Sequence, residues 1–100
     1  MDHAAGATTA GMTLPPTTLI IFGNARAGTP LMQSCQRAGI DLPLKALVWE
    51  DRDGTAWLTY NDPAWLARRH ALGPPIEPII SAMSAMLAAL ARHATGASPV

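Results

Sequence analysis

The run from Thr17 to Leu72 constrains this chain most. It alternates strand-like and helix-like patterns, and each change falls at a Gly, Pro, Asn or Asp where the backbone must turn. Thr17 to Gly23 is rich in β-branched residues and apolar on both alternating sets, which predicts a strand covered on both faces. Gly23 to Gly28 reads as a loop. Thr29 then caps a short helix with Pro30 at its first position, and Gly39 closes it. Leu44 to Glu50 and Thr55 to Tyr60 are predicted strands, joined through Asp51-Arg52-Asp53-Gly54, where Asp-Gly signals a hairpin. A turn of two or of four residues gives them the same parity. Lys45, Leu47, Trp49, Ala56, Leu58 and Tyr60 then form the expected core face, and Trp49 and Trp57 point to opposite faces. Asn61-Asp62-Pro63 opens a helix expected to run to about Leu72 and to stop at Gly73-Pro74-Pro75.

Residues 1–16 are small and end in Leu14-Pro15-Pro16, so they are expected to be a flexible lead without an element. A last helix from about Glu77 to His93 carries Ile76, Ile79, Ile80, Met83, Met86, Leu87 and Leu90 on one stripe, with a barely polar opposite face. The expected organisation is a lead over 1–16, one α+β domain over 17–93, and a frayed tail over 94–100. Its fold class is an antiparallel sheet with helices packed on one face.

Seven basic and seven acidic residues cancel, which leaves no global field to steer nucleic acid or an anionic membrane. Cys35 is alone, so no internal disulfide and no cysteine-based zinc site forms within one chain. No basic residue precedes Arg26, so a secretory n-region is missing. The apolar stretch Ile76 to Ala91 contains Glu77 and Pro78 and falls short of the roughly 18–20 residues a span needs. These features predict a cytoplasmic protein with no membrane and no nucleic-acid partner. The low charge predicts a homo-oligomer.

Gly23 to Thr29 has the Gly-x4-Gly frame of a phosphate loop but lacks the following lysine, so nucleotide hydrolysis is not expected. A weaker use remains, in which Asn24, Arg26, Gly28 and Thr29 hold an anion at a helix start. Lys45 falls on the expected core face, where it either snorkels from the strand end or, held inside, serves as a base or an anion anchor. His70 and His93 each sit in the last turn of a helix, which favours an imidazolium without further role. The three histidines have no metal-ligand spacing, and no metal or cofactor is expected.

Several motifs in order resemble a known family. They are Asp2-His3-Ala4-Ala5-Gly6, Ile21-Phe22-Gly23-Asn24, Ala27-Gly28-Thr29-Pro30-Leu31-Met32, Asp41-Leu42-Pro43-Leu44-Lys45, Val48-Trp49-Glu50-Asp51, and Tyr60-Asn61-Asp62-Pro63 through Arg69-His70. Together they resemble domain of unknown function family 302 over most of the chain up to Leu72. The resemblance implies a β-α-β4-α arrangement of the TATA-binding-protein-like class, often homodimeric, and it implies no activity. It also implies a domain that begins one strand and one helix earlier, so a front end is expected to be missing. Where the family usually reads Gly-Asn-Pro-Lys, this chain has Gly23-Asn24-Ala25-Arg26.

The leading expectation is an uncharacterised, noncatalytic, self-associating module for a small or anionic ligand. Its candidate binding residues are Asn24, Arg26, Gly28, Thr29, Lys45, Tyr60, His70 and His3. One alternative is an enzyme or accessory subunit with a polar site around Asn24, Lys45, Tyr60 and His70. Another is a nonfunctional fragment of a longer gene.

Overall fold

The computed structural model describes residues 1–95. The opening residues, expected to lack an element, form helix α1 over His3–Thr9. Asp2 caps it by accepting the Ala5 N–H at 3.0 Å. Gly11, at φ +77°, closes it, with the Met12 N–H on the Ala7 carbonyl and the Gly11 N–H on the Thr8 carbonyl. The Met1 ammonium donates to the Leu19 carbonyl at 2.8 Å, and the Leu19 N–H returns a bond to the Met1 carbonyl, which ties the chain start to the sheet.

The sheet has three antiparallel strands, β1 (Thr17–Phe22), β2 (Leu44–Glu50) and β3 (Ala56–Tyr60), in spatial order β1-β2-β3. Helix α2 (Ala25–Ser34) and a 3-10 turn over Gln36–Asp41 join β1 to β2. Helix α3 (Pro63–Arg69), a short 3-10 turn at Pro74–Ile76 and helix α4 (Glu77–Thr95) follow β3. The antiparallel sheet with helices on one face makes this an α+β fold. Thr95 ends α4 two residues beyond the expected boundary, and the remainder of the expected frayed tail, 96–100, lies outside the described residues.

Register corrects the expected core face. Ala46 faces Tyr60, Val48 faces Leu58, and Trp49 faces Trp57. Those pairs follow from a loop of three residues, Arg52-Asp53-Gly54, between Asp51 and Thr55. The Asp51 N–H donates to the Thr55 carbonyl and Gly54 sits at φ +82°. An odd loop reverses the parity that two or four residues would give. The covered face therefore carries Phe22, Leu44, Ala46 and Tyr60, while Lys45, Leu47, Trp49 and Trp57 share the outer face. Trp49 and Trp57 stack there at 6.0 Å.

Asp51 ties this hairpin together. Its carboxylate accepts the Trp57 indole N–H at 2.9 Å and the backbone N–H groups of Thr55 and Asp53. The Trp57 bond first, then that from Thr55, holds its carboxyl below the ordinary 3.8, since these donors favour the charged form. A depressed folded value stabilises above the unfolded one and is lost as pH falls through the folded value. Asp51→Asn should therefore lower the urea midpoint at pH 7. The gap from the parent should close in acid, at pH below the ordinary 3.8.

The core lies between this sheet face and the helices. Leu31 of α2, Leu66 of α3 and Leu87 of α4 are each at most 2% exposed, and Leu44, Ile76, Ile80 and Met83 join them. Within the expected α4 stripe, Met86 and Leu90 remain exposed and Ile79 is half-buried. Asp62 caps α3 as expected, accepting the Ala64 N–H at 2.9 Å. The helix stops three residues earlier than expected because Ala71 adopts φ +52°. Its N–H reaches the Arg68 carbonyl and the Leu72 N–H reaches the Ala67 carbonyl, the same closure that Gly11 makes for α1. An L-residue with a Cβ pays about 1–2 kcal/mol there and glycine does not. Ala71→Gly should raise stability by about 0.5–1 kcal/mol, read as a melting-temperature increase of several degrees.

Candidate functional site

Gly23, at φ +152°, hands β1 over to α2 in a conformation that side chains rarely adopt. The Asn24 side chain then accepts the Ala27 N–H at 3.0 Å, so α2 begins at Ala25 and not after Thr29. Asparagine is as strong a cap as threonine and comes first, and the alanines behind it are good helix formers. Arg26, Gly28 and Thr29 are thus helix residues, no phosphate-type loop exists, and Pro30 lies inside the helix. Gly39 does not close α2 either. Cys35 ends it in an extended conformation at φ −150°, and Gly39 sits in the 3-10 turn.

The early start of α2 opens a groove of about 930 Å³ between α2 and α4. Phe22 and Leu44 line it from the sheet, Gly28 and Met32 from α2, and Ile79, Met83 and Met86 from α4. Asn24, Arg26 and Thr29 supply its polar side chains, and Arg26 makes no ion pair among the described residues. Four of the expected site residues, Asn24, Arg26, Gly28 and Thr29, therefore meet in one place.

The other four do not join them. Lys45 is half-buried on the outer sheet face opposite Ile21, whereas Tyr60 packs toward the core on the other face. His3 is exposed at the start of α1. His70 lines a separate cavity of about 640 Å³ with Gln36, Arg37, Ile40 and Arg69. A polar cluster of Asn24, Lys45, Tyr60 and His70 is not formed.

His70 has a partner that sequence reading missed. Its Nε2 lies 2.6 Å from Asp41 Oδ2, and Arg69 Nη1 reaches both Asp41 oxygens at 2.9 and 3.0 Å. Arg69 also lies over the Trp65 ring at 5.6 Å. The pair joins the 3-10 turn to the end of α3. No local spacing announces it, because 29 residues separate Asp41 from His70. Among the described residues no group of His, Cys, Asp or Glu is arranged to hold a metal ion.

One antiparallel sheet, a helical layer and an apolar groove between two of the helices define a small α+β domain. The family model described as "Domain of unknown function DUF302" matches residues 1–90, and the chain belongs to that family. The chain is also 53% identical over 96 residues to a protein of Brucella suis biovar 1 (strain 1330) named "Fluoride-specific ion channel FluC 1". That match takes in 96% of this chain and 38% of the relative. Proteins of Brucella abortus biovar 1, named "Fluoride-specific ion channel FluC 1", and Brucella melitensis biotype 1, named "Fluoride-specific ion channel FluC 2", match at the same identity, over 36% of their length. The chain spans less than two fifths of the length of these curated relatives.

These relatives correct the functional expectation. A free-standing, uncharacterised cytoplasmic module for a small or anionic ligand, without membrane contact, is not what proteins this similar are named for. Balanced charge and a missing n-region report on the chain's own surface and start, and carry no information on the remaining length of the relatives. The length argument against a span is corrected too. Pro74–His93, 20 residues, is long and apolar enough by length and composition to cross a bilayer, although core helices of soluble proteins pass the same test.

Proposed function

We propose that this chain serves fluoride permeation, as the membrane-peripheral α+β part of a channel assembly of the kind its relatives are named for. The observation that carries this reading is 53% identity sustained over nearly the whole chain. Physical constraints then divide the labour. Inside hydrocarbon every backbone N–H and C=O must be satisfied by protein, so helices and closed barrels span membranes and open sheets do not. The three-stranded sheet here is open, with β3 at an edge, and so belongs in water. The stripe of α4 is committed to the core through Ile80, Met83 and Leu87, with Ile76 of the preceding 3-10 turn, and moving it into lipid would uncover Leu31, Leu44 and Leu66. On this reading the ion pathway resides in the part of the relatives outside the match, and this chain attaches to it.

Cells deprived of the chain should lose fluoride tolerance, read as a several-fold drop in the fluoride concentration that halts growth. Liposomes holding the purified chain alone should release no fluoride to an ion-selective electrode. Unchanged tolerance would sink the channel link. Efflux from the chain alone would overturn the peripheral assignment.

A further inference from the structure

We infer that the groove between α2 and α4 takes the acyl chain of an anionic amphiphile, with the headgroup held at Arg26. At about 930 Å³ it has the volume of a ligand cavity, and its walls are mostly apolar. Met32, Met83 and Met86 contribute three thioether side chains, which adapt their shape to a flexible hydrocarbon better than branched residues do. Met86 is 46% exposed, so the groove opens to the outside with its apolar wall in contact with water.

Charge selects the occupant. Arg26 is the one charged side chain lining the groove; it is exposed and has no ion-pair partner among the described residues. The Asn24 carbonyl oxygen is already committed to capping α2. An inorganic anion would leave the apolar walls in water, and a neutral hydrocarbon would leave the guanidinium without a partner. A long apolar body with one negative end uses both. A free fatty acid and an anionic membrane lipid share that chemistry. The inference requires no channel activity, so binding by the purified chain fails or succeeds apart from fluoride tolerance.

The purified full chain should be titrated with palmitate and with palmitoyl lysophosphatidylglycerol, using palmitoyl lysophosphatidylcholine as the headgroup without net charge. Amide shifts in the NMR spectrum give both affinity and location. All three should bind saturably, with shifts centred on Arg26, Ala82 and Met86. Ala82 lines the groove and is exposed, so Ala82→Trp fills it without touching the core, and Met86→Lys puts a charge on its wall. Each should weaken binding at least about tenfold in a chain whose thermal melt is retained. Arg26→Glu should weaken the two anionic ligands by about tenfold and leave the lysophosphatidylcholine affinity unchanged. Absence of saturable palmitate binding overturns the inference. So does binding indifferent to both Ala82→Trp and Met86→Lys, or an Arg26→Glu effect equal for all three headgroups. Cosedimentation with phosphatidylglycerol vesicles that Ala82→Trp abolishes assigns the membrane lipid as the source. Groove-specific palmitate binding without cosedimentation assigns the free acid. Vesicle binding that ignores every groove variant, with no groove shifts for palmitate, refutes the groove as the site.

Discussion

Leu87→Ala should destabilise the domain by about 2–5 kcal/mol, the range for removing a fully buried leucine side chain from a packed core. Leu87 is 1% exposed and belongs to the cluster formed by Leu31, Leu44, Leu66 and Met83. The cost has two parts, the lost transfer of the side chain from water and the cavity its neighbours cannot fill. A domain of this size holds only about 5–15 kcal/mol of net stability, so a loss on that scale is a large fraction of it. Urea denaturation should show a lower midpoint at an unchanged slope. Leu90, three residues on and 39% exposed, is the control: Leu90→Ala should cost less than about 1 kcal/mol. Equal effects at the two positions would mean that α4 does not fill the core. They would also remove the main physical objection to its crossing a membrane.

Asp41→Ala should cost about 1–3 kcal/mol, because it leaves a buried imidazole without its partner. The Asp41 side chain is 11% exposed and that of His70 is 8%, so water does not readily replace the missing carboxylate. Arg69, 45% exposed, can turn into solvent, and Arg69→Ala should cost less than about 1 kcal/mol. The asymmetry is the test: a double-mutant cycle should give a larger coupling for Asp41 with His70 than for Asp41 with Arg69. Equal couplings would show that the contact is a surface pair. Asp41→Asn, which keeps an acceptor near His70, should recover part of the loss.

Much of the local structure was legible from residues alone. Thr17–Phe22 and Leu44–Glu50 are strands because β-branched and apolar runs end at turn residues, and α3 begins where Asp62-Pro63 says it should. The family resemblance rested on the same punctuated run. Helix α1 was missed because an Ala-, Gly- and Thr-rich segment has no apolar stripe, although Asp2 and Gly11 stood at its ends as caps. The start of α2 was placed at Thr29 because Thr-Pro is a cap-plus-proline signal, yet Asn24 reaches a free N–H first. Half of the candidate site residues met in the groove because they are adjacent in sequence. The others scattered because nothing local says which face of a sheet, or which end of a helix, will turn toward them.

Sequence by itself determined the three strands within a residue and the starts of α3 and α4, since capping, turn chemistry and apolar periodicity act within a few residues. It also determined family membership, because the order of motifs is a property of the chain. Only the tertiary structure decided which side of the sheet is core. That choice turned on one residue of hairpin loop, which changes parity along an entire strand. The groove between α2 and α4 and the meeting of Asp41 with His70 were decided there as well. Both depend on where distant elements pack, and packing answers to the shape and burial of the whole core.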